Sequence, residues 1–541
     1  MNFSKMYVDK AISELIEGHT FENVLVVSSV REALERSLGL SITGLKALAI
    51  AKVEKTAFRK LLDILYFYTY GGVRGGVLAI LVLRREEAAE IIYLLKNLKL
   101  SCIVFDDDKI LSIYLDYLSN VSEAAEEPIF ILYVGEKLSL FSSDMHYNGI
   151  ILPDYPERSP TFNKHWFIPY RWNYLNMVFG EKEGFIRRKR DNFKVLVYYF
   201  SLLQEKILGK FPINASKKKQ LVTLAPPCLE TEKDFYPVYP MNPPPLNFFS
   251  KLVAQGLRLN LLDYDPPIYT DSINNTNHKI RVHKTWKINT EFFSNRVFRK
   301  ILHTQGGKRA FKINGSFSLL SLAVLRNFVE ILQESFTPIT VGVTSLYAYP
   351  ESGIHVATHL VTPTVYKIAN IGDLFDIVTP PSMVYGVYWG LVDSGYREGP
   401  IILILDKQFF DSKKVNKIVR RGGKIIVIWD NSKVKVDKWG KVINLDYKDY
   451  AKTCRLLFHL METDGGKVIF LKPSLSFKSS STRKAVIINR ECDTCLECVN
   501  LNCKGIILKE NGYPTVIQDF CRGCGACYVT CKRGAIEITN I

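Results

Sequence analysis

The chain of 541 residues contains no apolar run near the ~20 residues that a membrane-spanning helix requires. Its longest runs, such as Val77 to Leu83, fall far short, so no membrane span is expected. Charges interrupt the N-terminal M-N-F-S-K-M-Y-V-D-K, and no signal peptide is read there. Acidic residues are short against basic ones, 54 to 71, giving a net charge of +17. The basic runs at 187–190, 217–219 and 420–421 are scattered and lack interleaved aromatics. That pattern reads as solvated surface, or as a face for acidic partners, and makes nucleic-acid binding the weaker reading. Cysteine is scarce outside the C-terminal tail: eight of the eleven lie there, leaving Cys102, Cys228 and Cys454 isolated. No disulfide framework follows from three isolated thiols, which read as small buried hydrophobes of a cytoplasmic protein.

The tail carries the clearest chemistry. It reads C-x2-C-x2-C-x4-C at Cys492, Cys495, Cys498 and Cys503, then C-x2-C-x2-C-x3-C at Cys521, Cys524, Cys527 and Cys531. Three cysteines at two-residue gaps can wrap one face of a cubic iron–sulfur cluster with a single turn of chain. Structural zinc is the competing reading of four-cysteine sites. Zinc ribbons, however, use isolated C-x2-C pairs separated by long loops. Two runs of three, with near-identical tails at 504–506 and 533–536, point to iron and sulfide instead. Residues 486–541 resemble the two-cluster bacterial ferredoxin module, in which the remote fourth cysteine ligates the other cluster. The resemblance implies one [4Fe–4S] cluster on Cys492, Cys495, Cys498 and Cys531, and a second on Cys521, Cys524, Cys527 and Cys503. The module usually has proline after the fourth cysteine, where this chain has Lys504 and Lys532. A cation there is expected to favour the reduced, more negative cluster.

Upstream, the chain alternates helical and strand patterns, as α/β domains do. Residues 1–20 read as a short amphipathic helix. Val24 to Val27, Val77 to Leu83, Ser101 to Phe105 and Ile129 to Val134 read as strands, separated by helices at 30–40, 86–98 and 109–118. A proline-bearing connecting segment and a smaller unit follow to residue 300. A third α/β unit has strands at 339–343, 400–405, 424–429 and 467–471. The serine- and lysine-rich stretch 473–485 is read as a linker.

R-E-A-L-E-R-S-L-G-L-S-I-T-G-L-K-A-L (31–48), T-Y-G-G-V-R-G-G-V (69–77), M-N-P-P-P-L-N-F-F (241–249) and L-D-K-Q-F-F-D-S with I-I-V-I-W-D-N (405–431) carry a wider resemblance. With the tail, they resemble the thiamine-diphosphate-dependent 2-oxoacid:ferredoxin oxidoreductases, the alpha subunit of the indolepyruvate type above all. The resemblance implies two parallel-sheet domains of the thiamine-diphosphate-binding kind, pyrimidine-type at 1–150 and diphosphate-type at 301–472. They flank a smaller α/β domain at 151–300 and precede an α+β ferredoxin-like domain at 486–541. It places Mg²⁺ and thiamine diphosphate on Asp406 and Asn431. Departures are as telling. The glutamate that would hold the aminopyrimidine protonated falls at Val30, with Glu32 and Glu35 nearby. The glycine before the Asp is Leu405, and Lys407 follows it. The cysteine- and histidine-bearing loop of the family has become G-K-R-A-F-K-I-N before Gly315. Two functions follow from the resemblance. One is an iron–sulfur electron-transfer subunit in which thiamine catalysis is impaired. The alternative is active oxidative decarboxylation of a 2-oxoacid with coenzyme A. Implied partners are a soluble ferredoxin or other electron carrier, a beta subunit and further copies of the chain.

Overall fold

The computed structural model describes residues 3–16, 23–54, 72–84, 100–135, 182–208, 319–336, 383–396, 410–429, 440–473, 483–487 and nearly all of 490–540, with short strands and single positions between. The chain divides into two compact units, one of 1–166 and 182–305, the other of 167–181 and 306–541. No helix among the described residues is long and apolar enough to cross a membrane. Asn431, Cys228, Lys504 and the altered loop before Gly315 lie outside the described residues, as does most of the 86–98 stretch.

In the first unit, β1 (Lys5–Asp9), β2 (Val24–Val27), β3 (Ala47–Lys52), β4 (Val77–Leu83), β5 (Ser101–Phe105) and β6 (Ile129–Val134) form a parallel sheet in the order β5-β6-β4-β3-β1-β2. The uninterrupted apolar V-L-A-I-L-V-L makes β4 an inner strand, buried at every position, because helices cover both faces of a parallel sheet. Residues 5–9 are strand where the sequence reads as helix; only a 3-10 turn (Lys10–Ile16) follows. Met6, Tyr7 and Val8 are consecutive apolar residues, and pairing to both β2 and β3 overrides the local helical pattern.

Helix α1 (Val30–Ile42) starts at Ser29, whose hydroxyl accepts the Glu32 N–H. Helix α2 (Asp108–Ala125) is capped by Asp107 and buries Tyr114, Leu115, Leu118 and Val121. Against it packs α3 (Lys182–Leu208), with Phe193, Leu196, Phe200 and Leu203 in the same core. The Tyr117 hydroxyl donates to the Tyr199 carbonyl at 2.8 Å. The strand β7 (Trp172–Asn173) belongs to the second unit. Strands β8 (Lys219–Thr223), β9 (Phe235–Pro237), β11 (Arg258–Leu262) and β12 (Ile280–His283) make a separate parallel sheet, ordered β12-β11-β8-β9. β10 (Met241–Asn242) instead adds an antiparallel edge to β5.

The second unit centres on a seven-stranded, wholly parallel sheet. Its strands are β7, β13 (Ile339–Val343), β14 (Ile377–Thr379), β15 (Ile401–Asp406), β16 (Lys424–Ile428), β17 (Gly440–Leu445) and β18 (Lys467–Pro473), ordered β17-β18-β16-β15-β13-β14-β7. Helices α4 (Leu319–Gln333), α5 (Val384–Asp393), α6 (Ser412–Arg420) and α7 (Tyr450–Glu462) accompany it.

The C-terminal module belongs to this unit. β19 (Arg483–Ile487) pairs antiparallel with β22 (Ile536–Asn540), and β20 (Ile506–Leu508) pairs antiparallel with β21 (Pro514–Val516). Two short helices, α8 (Glu497–Asn500) and α9 (Ala526–Thr530), each carry the third cysteine of a run, Cys498 and Cys527. β19 begins at Arg483, inside the stretch that reads as linker.

Candidate metal centres

The two cysteine runs fold alike. Thr494 and Leu496 have φ of +58° and +63°, and Gly523 and Gly525, at the matching positions, have +59° and +78°. Each run therefore uses the same left-handed turns to curl its three thiols inward. In the second run glycine adopts them freely; in the first, side-chain-bearing residues are held there.

The remote fourth cysteines cross over. Burial pushes the Cys498 thiol up to about 11, and its interacting neighbours are Cys531, then Cys492 and Cys495. Burial likewise raises Cys527, whose neighbours are Cys524, Cys503 and Cys521. Cys524 is raised by burial too, with Cys503 and Cys521 adding. Cys531 thus joins the first run, and Cys503 the second. Cys492, Cys495, Cys498 and Cys531 line one pocket together with Asp493, Pro514 and Arg533. Among the described residues, no three His, Cys, Asp or Glu side chains converge as on a single metal ion.

The two sets sit in different surroundings. Cys495 is exposed, with Cys492 and Cys531 partly so, whereas Cys521 and Cys527 are buried. Cys521 is held by its neighbours. Its Sγ accepts the Ala485 N–H at 3.3 Å, and its carbonyl accepts from Lys484 Nζ at 2.7 Å. Half of the module's core is cysteine: Cys498, Cys521 and Cys527 pack with Ala485, Ile506 and Ile536. Four thiols facing one another repel once ionised, and a cationic core relieves that repulsion. The donor type and number fit an iron–sulfur cluster in each set.

The module is seated on α4 and α7. Asn327 Nδ2 donates to the Val529 carbonyl at 3.0 Å; Arg326 pairs with Glu497 at 3.1 Å. Tyr528 packs edge-on against Tyr447 and Tyr450, with centroids 5.6 and 6.4 Å away. Lys532, the cation expected beside the cluster, pairs with Glu330 at 3.0 Å. Sequence reasoning did not single out Arg326, Asn327, Glu330 or Tyr447. They are ordinary helix and loop residues with no spacing signal.

The thiamine positions are met less well. Asp406 ends β15 at the carboxyl edge of the sheet, beside the point where the strand order reverses between β13 and β15. That is where open α/β sheets bind ligands. Lys407 follows, its Nζ 5.2 Å from the centre of the Trp429 ring, and Phe410, Trp429 and Phe470 close into an aromatic cluster there. In the first unit, Val30 is buried at the start of α1. The Glu32 carboxylate accepts from the Ser28 N–H at 3.0 Å, the Ser28 hydroxyl at 2.5 Å and Arg36 at 2.6 Å. Burial raises its pKa, but the Ser28 bonds and the Arg36 charge outweigh that and leave it below the ordinary value. Glu32 is thus occupied at a helix start. Glu35 is buried and paired with Arg31 at 2.8 Å. At the start of α1, then, Val30 supplies no carboxylate and both Glu32 and Glu35 are engaged in ion pairs.

No protein-family model matches the chain, and no curated protein matches it. Among the solved structures that match, two illustrate how slight the likeness is. A protein described as a thiamin diphosphate-dependent enzyme from Mycobacterium smegmatis is 10% identical, with a TM-score of 0.36, over 87% of this chain and 96% of its own. Benzoylformate decarboxylase from Polynucleobacter necessarius is 10% identical, with a TM-score of 0.39, over 88% of this chain and 97% of its own. At that level neither carries an argument about chemistry.

Proposed function

We propose that this chain is an iron–sulfur electron-transfer protein or subunit related to the 2-oxoacid:ferredoxin oxidoreductases, with its thiamine catalysis impaired. Cys492, Cys495, Cys498 and Cys531 hold one [4Fe–4S] cluster, and Cys503, Cys521, Cys524 and Cys527 the other. The observation that carries this reading is the exchange of the remote cysteines, Cys531 joining the first run and Cys503 the second. Two-cluster ferredoxins share that crossover. When bound, such a cluster accepts and releases single electrons.

The protein's own residues orient the ligands and limit water. The αL turns at 494, 496, 523 and 525 aim the thiols. The Ala485 N–H on Cys521 Sγ stabilises negative charge on that sulfur, which favours the reduced state. Ile506 and Ile536 shield the site from solvent. The electron carrier is a soluble ferredoxin or a comparable one-electron protein, and a beta subunit and self-association belong to the same proposal.

Anaerobic purification followed by iron and sulfide counts tests the reading; about eight of each per chain are expected. Cys498→Ala and Cys527→Ala should each remove about four irons. If both variants kept the full complement, the ligand assignment would be wrong. Calorimetry with thiamine diphosphate and Mg²⁺ should show no saturable binding. Saturable binding would restore the active-enzyme alternative at Asp406.

A further inference from the structure

The two four-cysteine sets are closed by different means. In the Cys503 set, the chain just after the remote cysteine lies on the run it joins. A Cβ on Gly505 would fall 3.1 Å from the Cys521 Cα and N. The Gly505 carbonyl also accepts the Ile517 N–H at 2.8 Å. This closure is backbone against backbone.

In the Cys531 set, the second residue after the remote cysteine is Arg533. Its Nε donates to Asp493 Oδ2 at 2.7 Å, and Asp493 Oδ1 accepts the Cys495 N–H at 3.2 Å. The chain after the fourth cysteine is thereby tied, through two side chains, to the loop that carries Cys492 and Cys495. Both side chains line the pocket of these four thiols and both are exposed, at 67% and 38%. The same loop holds Thr494 and Leu496 at positive φ, a conformation that side-chain-bearing residues adopt only under constraint.

We propose that the Asp493–Arg533 pair is a clasp on the Cys492/Cys495/Cys498/Cys531 site, which is therefore the site that opens first and exchanges its iron first. The inference rests on the reading of the eight cysteines as two cluster sites. Asp493 and Arg533 are positioning residues: they hold the fourth ligand's segment against the other three. An exposed ion pair weakens as salt shortens the screening length, whereas backbone packing at Gly505 does not.

The experiment follows iron release from the anaerobically purified full chain to a ferrous-iron chelator. The iron and sulfide count is made first; a chain lacking iron and sulfide overturns the cluster reading itself. With both clusters present, release should run in two phases of about four irons each. Raising salt from about 0.05 to 1 M should accelerate the fast phase several-fold and leave the slow phase unchanged. Arg533→Gln should produce the same acceleration at low salt. Arg533→Lys, which keeps a cation opposite Asp493 and leaves the Cys495 N–H bond in place, should stay close to the slower rate. Electron paramagnetic resonance of the reduced protein should lose one cluster's signal during the fast phase. One uniform phase would overturn the clasp with the cluster reading intact. So would an Arg533→Gln variant that accelerates both phases or neither. The salt dependence of the unaltered protein decides the matter even if a variant fails to fold.

Discussion

Gly525→Ala should loosen the C-terminal module by far more than Gly534→Ala, although both glycines have left-handed backbones. Gly525 has φ of +78° and Gly534 of +70°. A side chain in that region costs about 1–2 kcal/mol, offset in part by the lower entropy of alanine in the unfolded chain. At Gly534 nothing lies within 4 Å of an added Cβ, so a net loss near ~1 kcal/mol is expected there. At Gly525 the added atom would fall 2.4 Å from both Cβ and Cγ of Tyr447. The start of that side chain cannot swing away without moving its backbone. Overpacking adds about 1–3 kcal/mol, for a total of about 2–4. Because several domains unfold in this chain, the measurement should be local: hydrogen exchange of peptides from 483–541 in the cluster-loaded protein, with exchange limited by opening. Tyr447→Ala in the Gly525→Ala background should recover most of the excess. Equal losses at the two glycines, or no recovery in the double variant, would refute the clash.

Further outcomes follow from the surrounding residues. Cys454 is buried on α7, donates to the Val324 carbonyl at 3.6 Å, and has its thiol pushed up by burial to about 11. Iodoacetamide at pH 8 should leave it unmodified in the native chain and label it only after denaturation, as read by peptide mass. Glu32 should be replaceable by alanine at a loss of about 1 kcal/mol in the stability of the first unit, the value of a helix-start contact. Its folded pKa is lowered, so its contribution is present above the ordinary carboxylate range and lost as pH falls through the folded value. Acid titration of helix content should show that loss in the native chain and not in Glu32→Ala. Glu330→Gln should raise the midpoint potential of the Cys531 cluster, because it leaves Lys532 uncompensated; Lys532→Gln should lower it. A redox titration in which both variants match the parent would separate this pair from the cluster.

Much of the sheet structure was legible because its signal is strong over short range. The seven apolar residues of β4 match an inner parallel strand, and β5, β6 and β13 read the same way. The N-terminal strand was not legible: its first twenty residues carry a helical pattern, and β1 exists because β2 and β3 stand on either side of it. The crossover of Cys503 and Cys531 is what the likeness to two-cluster ferredoxins implies. The fastenings of the module were not legible. Asp493 and Arg533 are 40 residues apart, and Asn327 reaches the Val529 carbonyl across 202 positions. Single polar pairs at such separations leave no periodic trace in a sequence.

Those fastenings bear on what the module is without its clusters. Among the described residues, its buried core is Ala485, Ile506 and Ile536 beside three cysteines, ringed by the half-buried Ile487, Val499, Leu501, Val516 and Ile538. So small an apolar set cannot offset the ordering of more than fifty residues, at ~1.5 kcal/mol each. Two other sources remain: the metal–thiolate bonds, and the seat that α4 and α7 provide. The seat is mostly polar or aromatic. Arg326–Glu497 and Lys532–Glu330 are exposed pairs worth little individually, and the Asn327 bond adds about 1 kcal/mol. The Tyr447–Tyr528–Tyr450 contacts add an aromatic anchor. On the proposed reading of the eight cysteines, the seat fixes the module's orientation on the sheet and the clusters supply most of its stability. Chelation of iron should accordingly unfold residues 483–541 while the seven-stranded sheet of the same unit keeps its protection from hydrogen exchange. A module that stayed protected after chelation would show that the seat, and not the metal, holds it folded.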